Sequence, residues 1–168
     1  TAYTALTSLE AEASRRLVAN LQTSPGGSRL EQVLWAASGS EGVQKALWAA
    51  LKRQPGRDVI LATRHGFHGK KGLAGACTGS EKDSERDPRV KFLAFPTEEV
   101  DDVSRRGEAF DTAPYEQELD RFGQEHGDRL CCLLTEPDLS GARPYLPPAQ
   151  YLQPLQRFCF AHPLDIRP

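Results

Sequence analysis

Leu6, Leu9, Ala13, Leu17 and Leu21 recur three or four residues apart in an otherwise polar stretch, a spacing that predicts an amphipathic helix at the start of the chain. Such a helix needs a partner elsewhere. QTSPGGSR then has the composition of a loop, and QVLWAA at 32–37 is an apolar run of strand length. From Ser40 to Arg53, Val43, Ala46, Leu47, Ala50 and Leu51 form a second helical stripe, which Gln54-Pro55-Gly56 ends. A strand, a Ser-Gly-Ser-Glu turn and a helix are therefore expected in succession.

DVILAT at 58–63 is continuously apolar and β-branched, as in a strand covered on both faces, and it runs into RHGFHGKKG. RVKFLAFP at 89–96 and RLCCLLTEP at 129–137 read as further strands, with a helix at 115–126 between them. PPAQYLQPLQRFCFAH returns to helical spacing, and Pro154 is placed to kink or restart that helix. The charged, apolar-poor segments TGSEKDSERDPR and EEVDDVSRRGEAFD read as surface loops. This alternation predicts an α/β fold of three layers with a mostly parallel sheet, in one domain over residues 1–168. Ligands in such sheets sit at the carboxyl ends of strands. The residues of interest are therefore Ser38–Glu41, His65–Gly69 and Glu136–Pro137.

Composition narrows the classes. Apolar residues make up 39% and charged residues 26%, with a formal net charge of −2, so no broad basic field is available for nucleic acid. No apolar run has membrane-spanning length and no secretory pattern opens the chain, which points to the cytoplasm. Cys77, Cys131, Cys132 and Cys159 form no CxxC pair and are expected as reduced, buried thiols, with Cys131 and Cys132 on opposite faces of a strand. Methionine is absent and the first residue is Thr1, which is expected either of a piece of a longer chain or of a start from which the initiator has been removed before a small residue.

Ser38 and Glu41 have the spacing of a capping box, which makes the Ser-Gly-Ser-Glu turn a helix start. At the carboxyl edge of a sheet, the same turn offers free N–H groups and the positive end of a helix dipole to a phosphate. Gly39 permits close approach to the backbone and Ser40 adds a hydroxyl. Both readings are open on spacing alone. A GxxxxGK[ST] loop would need glycine at Arg64 and Ser or Thr at Lys71, and no GxGxxG follows a strand. His65 and His68 lack a third ligand at metal-binding spacing. Phe67 stands between glycines, suited either to its own core or to stacking on a planar ligand. Glu136 at a strand end is either an acid, base or hydrogen-bond acceptor for a ligand, or one half of a loop salt bridge.

Taken in order, SLEAEASRRLVANL, SGSEGVQKALWAAL, FHGKKGLAGACTGS, LLTEP and YLQPLQRFC resemble the class III (subgroup II) aminotransferases, from about Leu9 to Cys159. The resemblance implies the large domain of a fold-type I transferase that uses pyridoxal 5'-phosphate. It further implies a homodimer and transfer of an amino group from an amine or amino acid donor to an oxo acid or aldehyde acceptor. Gly39 and Ser40 correspond to the donors that hold the cofactor phosphate. Phe67 corresponds to the aromatic stacked on the pyridine ring, His68 and Gly69 to the rest of the aromatic-His-Gly turn, and Glu136 to the family's EP glutamate.

The sequence departs from the family at Gly42, where alanine is usual, and in DLSGARPY, which keeps only part of a glycine-rich stretch. After YLQPLQRFC the family has an apolar strand ending Asp-Glu-Val, whose aspartate pairs with the pyridine nitrogen. Here Asp165 and Arg167 fall on the buried strand positions, and residue 168 aligns just before that aspartate. The Schiff-base lysine of the family lies further on, whereas the last lysine here is Lys91. The expectation is that this chain alone does not transaminate, no catalytic residue being assigned within it. The alternatives are a non-catalytic remnant serving as an interaction or structural module, and an unrelated phosphate-ligand enzyme sharing only the strand-turn-helix physics.

Overall fold

The computed structural model describes residues 7–79, 86–102, 104, 108–139 and 146–162. The chain folds as two compact units, one ending at Ala36 and the other beginning at Ala37. In the first, α1 (Ser8–Gln22) opens on a complete capping box: the Thr7 hydroxyl accepts from the Glu10 N–H, and the Glu10 carboxylate accepts from the Thr7 N–H at 2.9 Å. The Trp35 indole N–H donates to Ser14 Oγ at 3.0 Å, and the Gln22 amide donates to the Leu30 carbonyl at 3.0 Å. The predicted helix thus forms, but it buries no residue and Leu9 remains 78% exposed. Leu6 lies outside the described residues.

The expected strand at 32–37 does not form: residues 31–36 have no regular structure and are mostly exposed. An apolar run becomes a strand only where a neighbour completes its ladder of hydrogen bonds, and this run meets none among the described residues.

The second unit holds α2 (Gly39–Arg53), β1 (Val59–Thr63), α3 (Gly72–Ala76), β2 (Val90–Leu93), α4 (Thr97–Asp101), α5 (Ala113–His126), β3 (Leu130–Leu134) and α6 (Leu152–Ala161). The three strands form a parallel sheet in the order β2-β1-β3, with every residue of β1 buried. Leu47 and Ala50 of α2, with Leu73 and Ala76 of α3, cover the face formed by Ile60, Ala62, Val90 and Phe92. Leu119, Phe122, Leu155 and Phe158 cover the opposite face, against Val59, Leu61, Leu93 and Leu130. These are the predicted three layers. Of the five residues of the predicted α2 stripe, Ala46, at its margin, is exposed rather than packed.

Three local expectations change. Pro154 is the third residue of α6, where the helix has no i−4 bond to lose, so the helix begins at Leu152 behind a 3-10 turn at Ala149–Tyr151 rather than kinking. Part of the acidic segment forms α4, with Glu98 and Glu99 in its first turn, where carboxylates favour the helix dipole. Residues 80–85, 103 and 105–107 of the charged segments, 140–145 of DLSGARPY, and Asp165 and Arg167 lie outside the described residues.

The third change concerns β3. Val59 pairs with Leu130 but Ile60 pairs with Cys132, so Cys131 is an extra residue in a bulge. Cys131 and Cys132 consequently pack in the same cluster, beside α2 and α3, rather than on opposite faces. The Cys131 carbonyl accepts from the buried Gln54 side-chain amide at 2.8 Å. The bulge also resets the alternation of the strand. Beyond it the Thr63 hydroxyl donates to Thr135 Oγ1 at 3.3 Å. All four cysteines are free thiols; Cys77, Cys131 and Cys132 are buried and Cys159 is half-buried.

Candidate functional site

At the carboxyl end of β1 the chain leaves the sheet at Arg64, whose N–H still donates to the Leu93 carbonyl at 2.8 Å, and turns at His65 with φ +65°. The following loop presents Phe67 with 49% of its surface exposed, so the ring is not consumed by the core. The Phe67 N–H donates to Glu136 Oε2 at 2.8 Å. A carboxylate at the end of β3 thereby anchors the loop at the end of β1. A charge-assisted bond of this length is among the stronger single hydrogen bonds in a protein.

His68 points the other way. It is buried, its N–H donates to Thr78 Oγ1 at 3.1 Å, and its Nε2 has no partner among the described residues. A β-carbon on Gly66 would lie 2.8 Å from that nitrogen, so the ring folds back over the glycine. Burial lowers the His68 pKa below the ordinary histidine value, and the charge of Glu136 opposes that shift only in part, leaving the imidazole neutral near pH 7.

Gly69 has φ +148°, and a β-carbon there would lie 2.8 Å from Ser40 Oγ and 3.1 Å from the Ala74 methyl. Ser40 Oγ accepts from the Lys70 N–H at 3.4 Å, which ties the start of α2 to the same loop. Ser38 caps that helix by accepting from the Glu41 N–H at 3.2 Å. The reciprocal half of the expected box is displaced by one residue. The Glu41 carboxylate accepts from the Ala37 N–H at 2.7 Å and pairs with Lys45 at 2.7 Å. Gly39 faces open space, with no atom within 4 Å of where its β-carbon would stand. The N–H groups of Gly39 and Ser40 belong to the first turn, where no intrahelical carbonyl reaches them.

Gly39, Ser40, Phe67, His68 and Glu136 therefore share the carboxyl edge of the sheet, linked through Ser40 to Lys70 and Phe67 to Glu136. Among the described residues no group of three His, Cys, Asp or Glu side chains is arranged to hold a metal ion.

Two supporting residues carry no such signal in the sequence. Gln44 of α2 accepts from the Ala74 N–H at 3.2 Å, capping α3 in place of Lys71, which makes no side-chain cap. Thr78, at the end of α3, accepts from the His68 and Gly69 N–H groups and donates to the Gly69 carbonyl. The available signal was a hydroxyl residue beside Gly79, closing a stretch of small residues too short on periodicity to place.

The class III aminotransferase family model matches residues 1–164. No curated protein sequence matches the chain at a significant level. Among solved structures, the chain is similar to an amine transaminase from an uncultivated Pseudomonas species in its PLP-bound form. The identity is 22% and the TM-score 0.79, over 96% of this chain and 38% of that one. It is also similar to the omega-transferase of Vibrio fluvialis JS17, at 18% identity and TM-score 0.77, over 94% and 38% of the two chains. An (S)-enantioselective omega-transaminase from Thermomicrobium roseum matches at 25% identity and TM-score 0.61, over 76% and 30%. The chain thus spans well under half the length of these proteins. With a family match over nearly all of its residues and the α/β fold shared with these transaminases, the chain belongs to the class III aminotransferase family.

Proposed function

We propose that these residues form the phosphate- and ring-holding part of a pyridoxal 5'-phosphate site, in one incomplete cofactor-binding domain of an aminotransferase. The observation carrying this reading is the convergence at one sheet edge of three features a phosphorylated pyridine requires. These are a helix start with open space at Gly39, a half-exposed Phe67 ring, and a carboxylate at Glu136 that holds the ring's backbone in place. The group fits the residues present: the Gly39 and Ser40 N–H groups and the helix dipole suit its phosphate, and the face of Phe67 suits its ring. Glu41, the one carboxylate in that first turn, is already engaged by Lys45 and the Ala37 N–H, which limits its repulsion of an anion. When bound, pyridoxal phosphate supplies an electron sink for amino-group transfer between an amino donor and an oxo acceptor. The His68 backbone N–H holds the loop to Thr78, and Ser40 joins the loop to the helix.

The Schiff-base lysine and the pyridine-pairing aspartate are not among these residues, whose last lysine is Lys91. On this reading the 168 residues alone hold the cofactor without covalent attachment and do not transaminate. Exposed apolar side chains such as Trp48 and Phe160 support a homodimeric parent, since a subunit partner would cover such surface. Four free thiols support a reducing, cytoplasmic setting. No helix among the described residues is long and apolar enough to cross a membrane. The test is to add pyridoxal phosphate to the purified chain and dialyse. A shifted absorption band that survives dialysis and responds to an amino donor contradicts the absence of transamination; its loss on dialysis agrees with it.

A further inference from the structure

The loop carrying Phe67 has a second anchor, beneath it. Thr78 is buried, and its single hydroxyl oxygen accepts from the His68 N–H at 3.1 Å and the Gly69 N–H at 3.2 Å while donating to the Gly69 carbonyl at 2.8 Å. All the hydrogen-bonding capacity of a hydroxyl is thereby used on the backbone of one two-residue stretch. Next to it, the Gly79 N–H donates to the Gly66 carbonyl at 2.9 Å and the Gly79 carbonyl accepts from the His65 N–H at 3.1 Å. A β-carbon on Gly79 would lie 2.6 Å from the Thr63 carbonyl oxygen, so residues 78 and 79 lie directly against the base of the loop. Both the half-exposed ring of Phe67 and the approach of Gly69 to Ser40 depend on the backbone that this pair fixes.

We infer that Thr78 is a positioning residue for the cofactor site: its hydroxyl sets the Phe67–Gly69 backbone so that the Phe67 ring faces the ligand and Gly69 closes on Ser40. The inference rests on the cofactor reading above. Thr78 has no direct role toward the ligand; it lies beneath the loop and acts through the two N–H groups and one carbonyl it satisfies. A side chain of the same shape without a hydroxyl leaves those groups buried and unpaired, and the loop relaxes toward conformations that reach water.

The experiment compares the 168-residue chain with Thr78→Val, Thr78→Cys and Thr78→Ser. The probe is pyridoxine 5'-phosphate, which lacks the aldehyde and so reports non-covalent binding with no contribution from lysines. Affinity is read from the circular dichroism induced in the pyridine band, and amide hydrogen exchange is followed at His68, Gly69 and, as a control, along α5. Thr78→Val is expected to weaken binding by about tenfold or more, the size of one net hydrogen bond, and to speed exchange at His68 and Gly69. Exchange in α5 stays unchanged. Thr78→Cys, of similar size and a weak acceptor, follows valine and carries the comparison should Thr78→Val fail to fold. Thr78→Ser restores both binding and protection. Binding by Thr78→Val and Thr78→Cys as tight as wild type overturns the positioning role while leaving the cofactor reading intact. Absence of binding by the wild-type chain overturns the cofactor reading, and the positioning role with it.

Discussion

Substituting alanine for Gly69, Gly72 and Gly39 in turn separates what the site needs for folding from what it needs for a ligand. Gly69 has φ +148°, and its new β-carbon would lie 2.8 Å from Ser40 Oγ, 3.0 Å from Ser40 Cβ and 3.1 Å from the Ala74 methyl. The backbone strain costs about 1–3 kcal/mol and the overpacking about 1–3 kcal/mol, giving about 2–6 kcal/mol for Gly69→Ala. That is a large share of the stability of an ordinary domain. Gly72 has φ +59°, and its β-carbon would lie 2.8 Å from Gln44 Oε1, which can swing aside only by loosening its bond from the Ala74 N–H, so Gly72→Ala costs about 1–2 kcal/mol from the left-handed backbone and about 1 kcal/mol from that bond. Gly39 has a negative φ and open space, so Gly39→Ala changes stability by no more than about 0.5 kcal/mol. Its methyl nevertheless stands beside the first-turn N–H groups and obstructs a phosphate there. Urea unfolding of each variant gives the stability order, and titration with pyridoxine 5'-phosphate gives affinity. The expected result is Gly39→Ala stable but weak-binding, Gly72→Ala intermediate in stability, and Gly69→Ala strongly destabilised. Equal stability of Gly69→Ala and Gly39→Ala refutes the packing of Gly69 on Ser40, and undiminished affinity in Gly39→Ala refutes the phosphate seat.

His68 sets the pH response of the same loop. Its folded pKa is lowered by burial, so the unfolded chain takes up the proton more readily, and stability held above about pH 6.5 declines as the pH falls through the folded value. Urea midpoints measured from pH 7.5 down to 5 are expected to fall, with the His68→Gln variant losing that part of the decline; an identical slope in the variant contradicts the assignment. The thiols give a further check. Burial raises the Cys77 pKa to about 12, and the hydrogen bond with Cys131, with burial behind it, pushes Cys132 up; the same bond lowers Cys131, which is shielded by its burial alone, so all three are expected to resist a thiol reagent in the folded chain. All four cysteines label in denaturant, and rapid native labelling at Cys131 or Cys132 would place the bulge at the surface.

Much of the second unit was legible because burial and periodicity agree there. VILA at 59–62 is apolar throughout and every residue of β1 is buried, and the stripe of α2 packs through Leu47 and Ala50. QVLWAA shows the limit of the same signal: apolarity without a ladder partner among the described residues gives an exposed, irregular segment. The bulge at Cys131 was illegible because alternation predicts opposite faces for adjacent residues. The Cys131 carbonyl in that bulge accepts a long-range bond from Gln54, 77 positions away in sequence. The topology rule and the family resemblance pointed to Phe67 and Glu136 as residues at strand ends, and the pairing of β1 with β3 makes those ends neighbours. Thr78 escaped notice because one threonine after a run of small residues carries no periodic or charge signal, and its importance lies in the three backbone groups it meets.

The most direct test of the cofactor seat is to titrate the chain with pyridoxine 5'-phosphate and, separately, with pyridoxine, following the circular dichroism of the pyridine band. Saturable binding at one site, requiring the phosphate and weakened in Phe67→Ala and Gly39→Ala, is the expected result. Absence of saturable binding, or equal binding of pyridoxine without its phosphate, would contradict it.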